Sequence, residues 1–305
     1  MQFEKDLYGT FGGLVDPSYK GDEDIIYDAV IQGIPYEVAT SGKKGTSYAM
    51  KALRAISQDM QIISRTGRDF SSIKIFDAGD VPIFPLDSEE TRKAIENAFM
   101  YLRKTYHCPI ISIGGDHSVT YPLIKGLQNE GKVGVVWFDA HRDLLDDFLR
   151  SKYSHGTSLR RAIDLPNVEP SNVLLVGTRY FTPEEEKVVQ DLGIHELRKV
   201  DLENSSNWIS DFQSILKEIE SRVDYLYISL DIDGLDPACA PGTGTPVCGG
   251  VFTHELMQML SSIQVPIAAY DIVEVSPPLD SSGITVKTMM GILTELLAKI
   301  FSLKF

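Results

Sequence analysis

From about residue 71 onward the sequence alternates short, β-branched apolar runs with longer stretches of helical period. That alternation predicts a parallel sheet covered by helices on both faces. The strand runs are Ser72 to Phe76, Pro109 to Ile113, Gly134 to Phe138, Asn172 to Val176, Tyr225 to Leu230 and Pro266 to Val273. Each is apolar along most of its length, as a strand buried on both faces must be. Helical periods cover Asp87 to His107, Ser118 to Asn129, Thr182 to Leu192, Trp208 to Ser221, Thr253 to Ile263 and Val286 to Phe301. Asp87 with Glu90, and Thr182 with Pro183 and Glu185, read as helix starts. Upstream, Ser41-Gly42-Lys43-Lys44-Gly45 reads as a loop and Tyr48 to Ile56 as a helix. With no linker or repeat in the series, residues 1–305 read as one α/β domain.

The charge balance narrows the partners. Forty-three acidic against 29 basic side chains leave a net charge of -14, which repels phosphate backbones and anionic membrane surfaces, so neither nucleic acid nor membrane is expected. Cys108, Cys239 and Cys248 form no CxxC pair and cannot build a paired framework, which suits a reducing compartment. The opening residues 1–13 carry acids and no apolar run of signal-peptide length. A cytoplasmic location is the expectation.

Acids and histidines gather immediately after the predicted strands, where open parallel sheets place their ligand sites. Gly114-Gly115-Asp116-His117-Ser118 follows one strand, Asp139-Ala140-His141-Arg142-Asp143 a second and Asp231-Ile232-Asp233 a third, while Glu274 ends a fourth. In an extended segment, period-two spacing sends Asp139, His141 and Asp143 to one side. Alone, DxHxD is as readily a helix-capping turn, DxDG a common turn composition and His117 a satisfied core histidine. Together, four Asp and two His on adjacent strand ends make a mixed oxygen and nitrogen set suited to two divalent ions with shared carboxylates. Mn²⁺ suits it best: zinc prefers fewer carboxylates, while magnesium and calcium avoid imidazole.

Three stretches, Ile113 to Pro122, Val135 to Asp143 and Ser229 to Pro237 with its continuation Pro241 to Pro246, closely resemble the signatures of the ureohydrolase family, which includes arginase, agmatinase and guanidinobutyrase. Weaker similarity, including Asp77 to Asp80 and Glu274 to Pro277, runs from Gly33 to the C-terminal helix. The resemblance implies a three-layer α/β/α fold around an eight-stranded parallel sheet. It also implies one manganese on His117, Asp139, Asp143 and Asp231, and a second on Asp139, His141, Asp231 and Asp233. His155, in an HG motif, and Glu274 would serve beside the substrate: Glu274 orienting a guanidinium, Asp143 passing a proton to the leaving amine, and His155 exchanging protons with solvent. Homo-trimers or homo-hexamers are the family's assemblies. A non-catalytic metal-binding paralogue and a single-zinc deacetylase are the readings from other classes; such paralogues commonly lose ligands, whereas all six are kept here.

The family's members differ in how they read the rest of the substrate. The Asn-Thr-Pro and Ser-Gly-Asn elements of arginases are absent from Leu144 to Ser154. Agmatine is therefore the expected substrate, a small cationic guanidine giving putrescine and urea, with guanidinobutyrase or arginase activity as the alternative; Arg150 or Lys152 would then meet a distal carboxylate. The family's usual RPG element is replaced in Gly42 to Arg54, a segment near the substrate mouth in relatives.

Overall fold

The computed structural model describes residues 26–58, 63–264 and 267–302. The reading of residues 1–13 lies outside them. Eight strands form one sheet: β1 (Ala29–Gly33), β2 (Ile75–Asp80), β3 (Ile110–Ile113), β4 (Val133–Phe138), β5 (Val173–Val176), β6 (His195–Leu197), β7 (Tyr225–Asp231) and β8 (Ile267–Val273). Their order is β2-β1-β3-β8-β7-β4-β5-β6, and every pairing is parallel. The expected α/β/α sandwich is therefore present.

Each face of the sheet carries its own apolar core. On one side Leu53 of α1 (Ala49–Ser57), Phe212 of α7 (Trp208–Glu220), Met259 of α8 (Thr253–Ser262) and Leu293 of α9 (Ile284–Ser302) pack on alternate strand residues such as Ile111, Val136 and Ile228. On the other, Phe99 of α2 (Ser88–Tyr106), Leu123 of α3 (Thr120–Leu127), Leu159 of α4 (Ser158–Ile163) and Val189 of α5 (Pro183–Leu192) meet Ile110, Val135 and Tyr227. Leu202 of α6 (Lys199–Asn204) joins the first core. Asp87 accepts the Glu90 N–H, and Thr182 and Glu185 cap each other reciprocally, so both predicted helix starts stand. Among the described residues no helix is long and apolar enough to cross a membrane, and the three cysteines are free.

The short helices α4 and α6 went unpredicted, and three strands differ from the expectation. The strand placed at Ser72 to Phe76 lies at Ile75–Asp80, because Arg54 from α1 pairs with Asp77 at 2.9 Å and Asp80 at 2.7 Å and makes two acids acceptable in a buried strand. Strand β1 went unpredicted; it carries Gln32, whose amide is buried by a 3.0 Å bond to Ser112 Oγ. Strand β6 is three residues long, half-buried and polar at the sheet edge, and has no apolar run to detect.

Candidate metal centre and active site

In the sheet order, β3, β8, β7 and β4 are consecutive neighbours. The four acid- and histidine-bearing strand ends are thus side by side, and His117, Asp139, Asp143, Asp231, Asp233 and Glu274 are all buried there. Asp139, Asp143 and Asp231 each place a carboxylate oxygen 3.1–3.2 Å from His117 Nδ1. His141 Nδ1 lies 3.3 Å from Asp139 Oδ1 and 3.3 Å from Asp233 Oδ2. Among the described residues, the two groups whose donor atoms are close enough to hold an ion are His117 with Asp139 and Asp143, and Asp139 with His141 and Asp233. Asp139 belongs to both.

The way these side chains converge differs from the expected extended segment. β4 stops at Phe138, the His141 N–H turns back onto Asp139 Oδ1 at 2.7 Å, and Asp143 adopts a left-handed backbone with φ of 54°. Asp143 consequently faces His117 and not His141. Asp231 likewise caps a tight turn by accepting the Asp233 N–H at 2.8 Å, so the turn and the carboxylate pair are one structure. Gly115 carries the first loop past Tyr36: a Cβ there would stand 1.6 Å from the Tyr36 carbonyl oxygen. Glu274 also has a left-handed backbone, φ 60°, and strain of this kind at non-glycine residues is held in place by its surroundings.

The electrostatics describe a place built for added positive charge. Burial, then the neighbouring carboxylates, pushes Asp231 well above the usual carboxylate range and Asp143 up to about 6. Burial depresses His141, yet Asp233 and Asp139 overrule it and raise the imidazole to about 12. His117 Nδ1 sits among three carboxylates without a hydrogen-bond partner. A buried polar atom left unpaired in this way needs a reason, and oxygen donors shared between imidazoles fit a pair of divalent ions.

Beside this centre, Glu274 Oε1 accepts the His117 N–H at 2.9 Å, while Oε2 is buried and unpartnered. His155 Nδ1 stands 3.5 Å from Glu274 Oε1, and its Nε2 contacts Ser41 Oγ at 2.8 Å and accepts the Ser41 N–H at 3.1 Å. Burial lowers the His155 pKa, but Glu274, Asp143 and Asp116 more than offset it and hold the group above its ordinary value. A cavity of about 330 Å³ opens over His155 and Ser41, lined also by His141, Asp143, Phe148, Tyr180, Phe181 and Asp231 among others, with buried Glu274 behind His155. All eight residues singled out from sequence thus meet in one place. Arg150 and Lys152 do not line the cavity, and Lys152 stands 3.6 Å from Asp146 at the surface.

The family model for the arginase family matches residues 27–298. The chain belongs to the arginase family. It is 34% identical to a guanidinobutyrase of Pseudomonas aeruginosa, covering 96% of this chain and 97% of that one. Identity to the mitochondrial agmatinase of Gallus gallus is 32%, over 88% of this chain and 80% of the other. Among solved structures, proclavaminate amidino hydrolase from Streptomyces clavuligerus superimposes with a TM-score of 0.87 at 28% identity, over 98% of both chains. This arginase-family chain is accordingly a ureohydrolase.

Several supporting residues escaped the sequence reading. Trp137 stacks on the His117 ring at 4.1 Å and donates to Asp139 Oδ2 at 3.0 Å; its position near the end of β4, two residues before Asp139, was the available signal. Arg179 binds the carbonyls of Asp233 and Gly234 at 2.8 and 3.1 Å and so fixes the second turn. Neither Arg179 nor Ser41 has a local signature.

Proposed function

We propose that this ureohydrolase uses two manganese ions to convert agmatine to putrescine and urea. His117, Asp139, Asp143 and Asp231 would hold one ion and Asp139, His141, Asp231 and Asp233 the other. Such a pair supplies Lewis acidity that renders water nucleophilic near neutral pH, which the weakly electrophilic guanidinium carbon demands.

The chain's own groups do the rest. Glu274 offers its unpartnered Oε2, together with Oε1, to the paired N–H donors of a planar guanidinium. Asp143 hands the proton lost by the attacking water to the leaving amine nitrogen. His155 stands between Glu274 and the exposed Ser41, where it exchanges protons between the site and solvent. The same proposal includes a single domain over residues 1–305, a cytoplasmic location and a homo-trimer or homo-hexamer.

The observation carrying the choice of agmatine is the cavity lining. Beyond His141, Asp143 and Asp231, which the metal assignment takes up, its ionisable residues are Glu185, His155 and Tyr180, and its wall is aromatic through Phe148, Tyr180 and Phe181. An acid group and aromatic faces suit a distal ammonium, and among the described lining residues no Lys or Arg stands ready for a carboxylate. A second reading, 4-guanidinobutyrate, takes its support from the 34% identity to a guanidinobutyrase and from exposed Lys43 and Lys44 just past cavity-lining Ser41. Urea release by manganese-loaded protein on agmatine, 4-guanidinobutyrate and arginine side by side tests the choice. The highest kcat/KM on agmatine is expected; a clear preference for either carboxylate-bearing substrate overturns it.

A further inference from the structure

Behind His117, on the side away from the carboxylates, lies a chain of hydroxyl groups ending on a fourth buried acid. His117 Nε2 is 2.8 Å from Ser229 Oγ, and Ser229 Oγ donates to Asp271 Oδ1 at 2.8 Å. Thr120 Oγ1 donates to Asp271 Oδ2 at 2.7 Å, and Tyr227 OH donates to the same oxygen. Ser229, Asp271 and Thr120 are wholly buried. The parallel register sets Ser229 of β7 opposite Asp271 of β8, so the two side chains share one face of the sheet.

With Asp271 ionised, counting hydrogens fixes the direction of the bonds from Ser229 and His117. A serine hydroxyl has one hydrogen, and Ser229 spends it on Asp271, an ionised carboxylate being an acceptor only. Ser229 Oγ can then only accept from His117, so Nε2 must carry the hydrogen. Nδ1 is left as the free donor atom, and it is the atom facing Asp139, Asp143 and Asp231. Stacking on Trp137, with ring planes 10° apart, fixes the plane of the imidazole, and the Ser229 contact at Nε2 fixes which edge faces the carboxylates. Thr120 and Tyr227 both satisfy Asp271 Oδ2, so Ser229 alone of the three hydroxyls serves Oδ1. The third donor is the hydroxyl that touches the histidine.

We propose that Asp271 and Ser229 are positioning residues that lock His117 in its Nε2–H tautomer and thereby make Nδ1 a metal donor. The inference rests on the metal-centre reading above. Groups that hold the second nitrogen of a ligating histidine commonly alter metal affinity by about ten- to a hundredfold when removed.

The test is a manganese titration of metal-depleted full-length protein, native and as Ser229→Ala, Asp271→Asn and Ser229→Thr. Ser229→Ala and Asp271→Asn should weaken one of two binding events by about ten- to a hundredfold and leave the other at its native value. Ser229→Thr, which keeps the hydroxyl, should restore it. Tyr227→Phe and Thr120→Val leave the serine link intact and should leave both events unchanged. In parallel, ¹⁵N NMR of native protein loaded with diamagnetic Cd²⁺ should show His117 protonated at Nε2 and ligating through Nδ1, a readout that needs no variant to fold. Native affinity in folded Ser229→Ala and Asp271→Asn, or ligation through Nε2, overturns the lock. Native protein that takes up no ion would instead overturn the metal centre itself.

Discussion

Glu274→Gln isolates the contribution of one charge. Glu274 Oε1 already accepts the His117 backbone N–H at 2.9 Å. Glutamine keeps an oxygen at that position, so the loop carrying His117 should stay in place. The amide nitrogen then replaces Oε2, the oxygen with no partner in the protein. Where a guanidinium needs an acceptor it would meet a donor, and a charge-assisted pair becomes donor against donor. Breaking a buried ion pair from one side costs about 3–5 kcal/mol. At 1.36 kcal/mol per decade that is a loss of about 150- to 5,000-fold in kcat/KM. Urea release measures it, with metal content determined on the same sample and thermal unfolding confirming the fold. A folded, fully metal-loaded variant with unimpaired kcat/KM would remove Glu274 from guanidinium binding.

His141→Asn should abolish uptake of one ion while the site at His117 still binds, because the carboxylates that face the His141 ring are Asp139 and Asp233; full manganese content with full activity would contradict the assignment. Gly115→Ala should destabilise the fold by more than about 3 kcal/mol, as an overpacked position with rigid backbone opposite; an unchanged melting temperature would show that the loop tolerates displacement. The pH dependence of the metal-free protein has a definite sign. Asp143 is raised to about 6, Asp116 to about 7 and His141 to about 12, so above about pH 4 the folded chain holds protons that the unfolded chain has released. Stability contributed by these groups is therefore lost as pH rises, and the melting temperature in chelator should fall from about pH 5 to 8. Added manganese should offset most of the fall at the upper end. A rising or flat profile in chelator would contradict the crowding of charge described here.

Five of the strands were legible because a buried parallel strand must be apolar throughout, and runs such as Val133–Phe138 show it, whereas β2 was legible only at its start because Asp77 and Asp80 interrupt the run. β1 and β6 were not, since one carries a buried Gln32 and the other is a short polar edge. The candidate site was legible because a parallel sheet gathers its strand ends, so local motifs on β3, β4, β7 and β8 had to meet. The sequence did not reveal which histidine each acid faces. That depended on the left-handed turn at Asp143, which an extended reading of DxHxD misses. The layer behind the site was also hidden. Ser229 and Asp271 meet through cross-strand register, Arg179 through a loop reaching the Asp233 turn, and Ser41 through a loop docking on His155. Such partners are far apart in sequence and leave no local pattern.

The central claim is that two cations bind between these acids and histidines. Anomalous diffraction at the manganese edge, from crystals soaked in Mn²⁺, addresses it directly. Two peaks per chain are expected, one against His117 Nδ1 and Asp143 and one against His141 Nδ1 and Asp233, with Asp139 reaching both. No peak at these donors, or strong peaks only elsewhere on the molecule, would contradict the account.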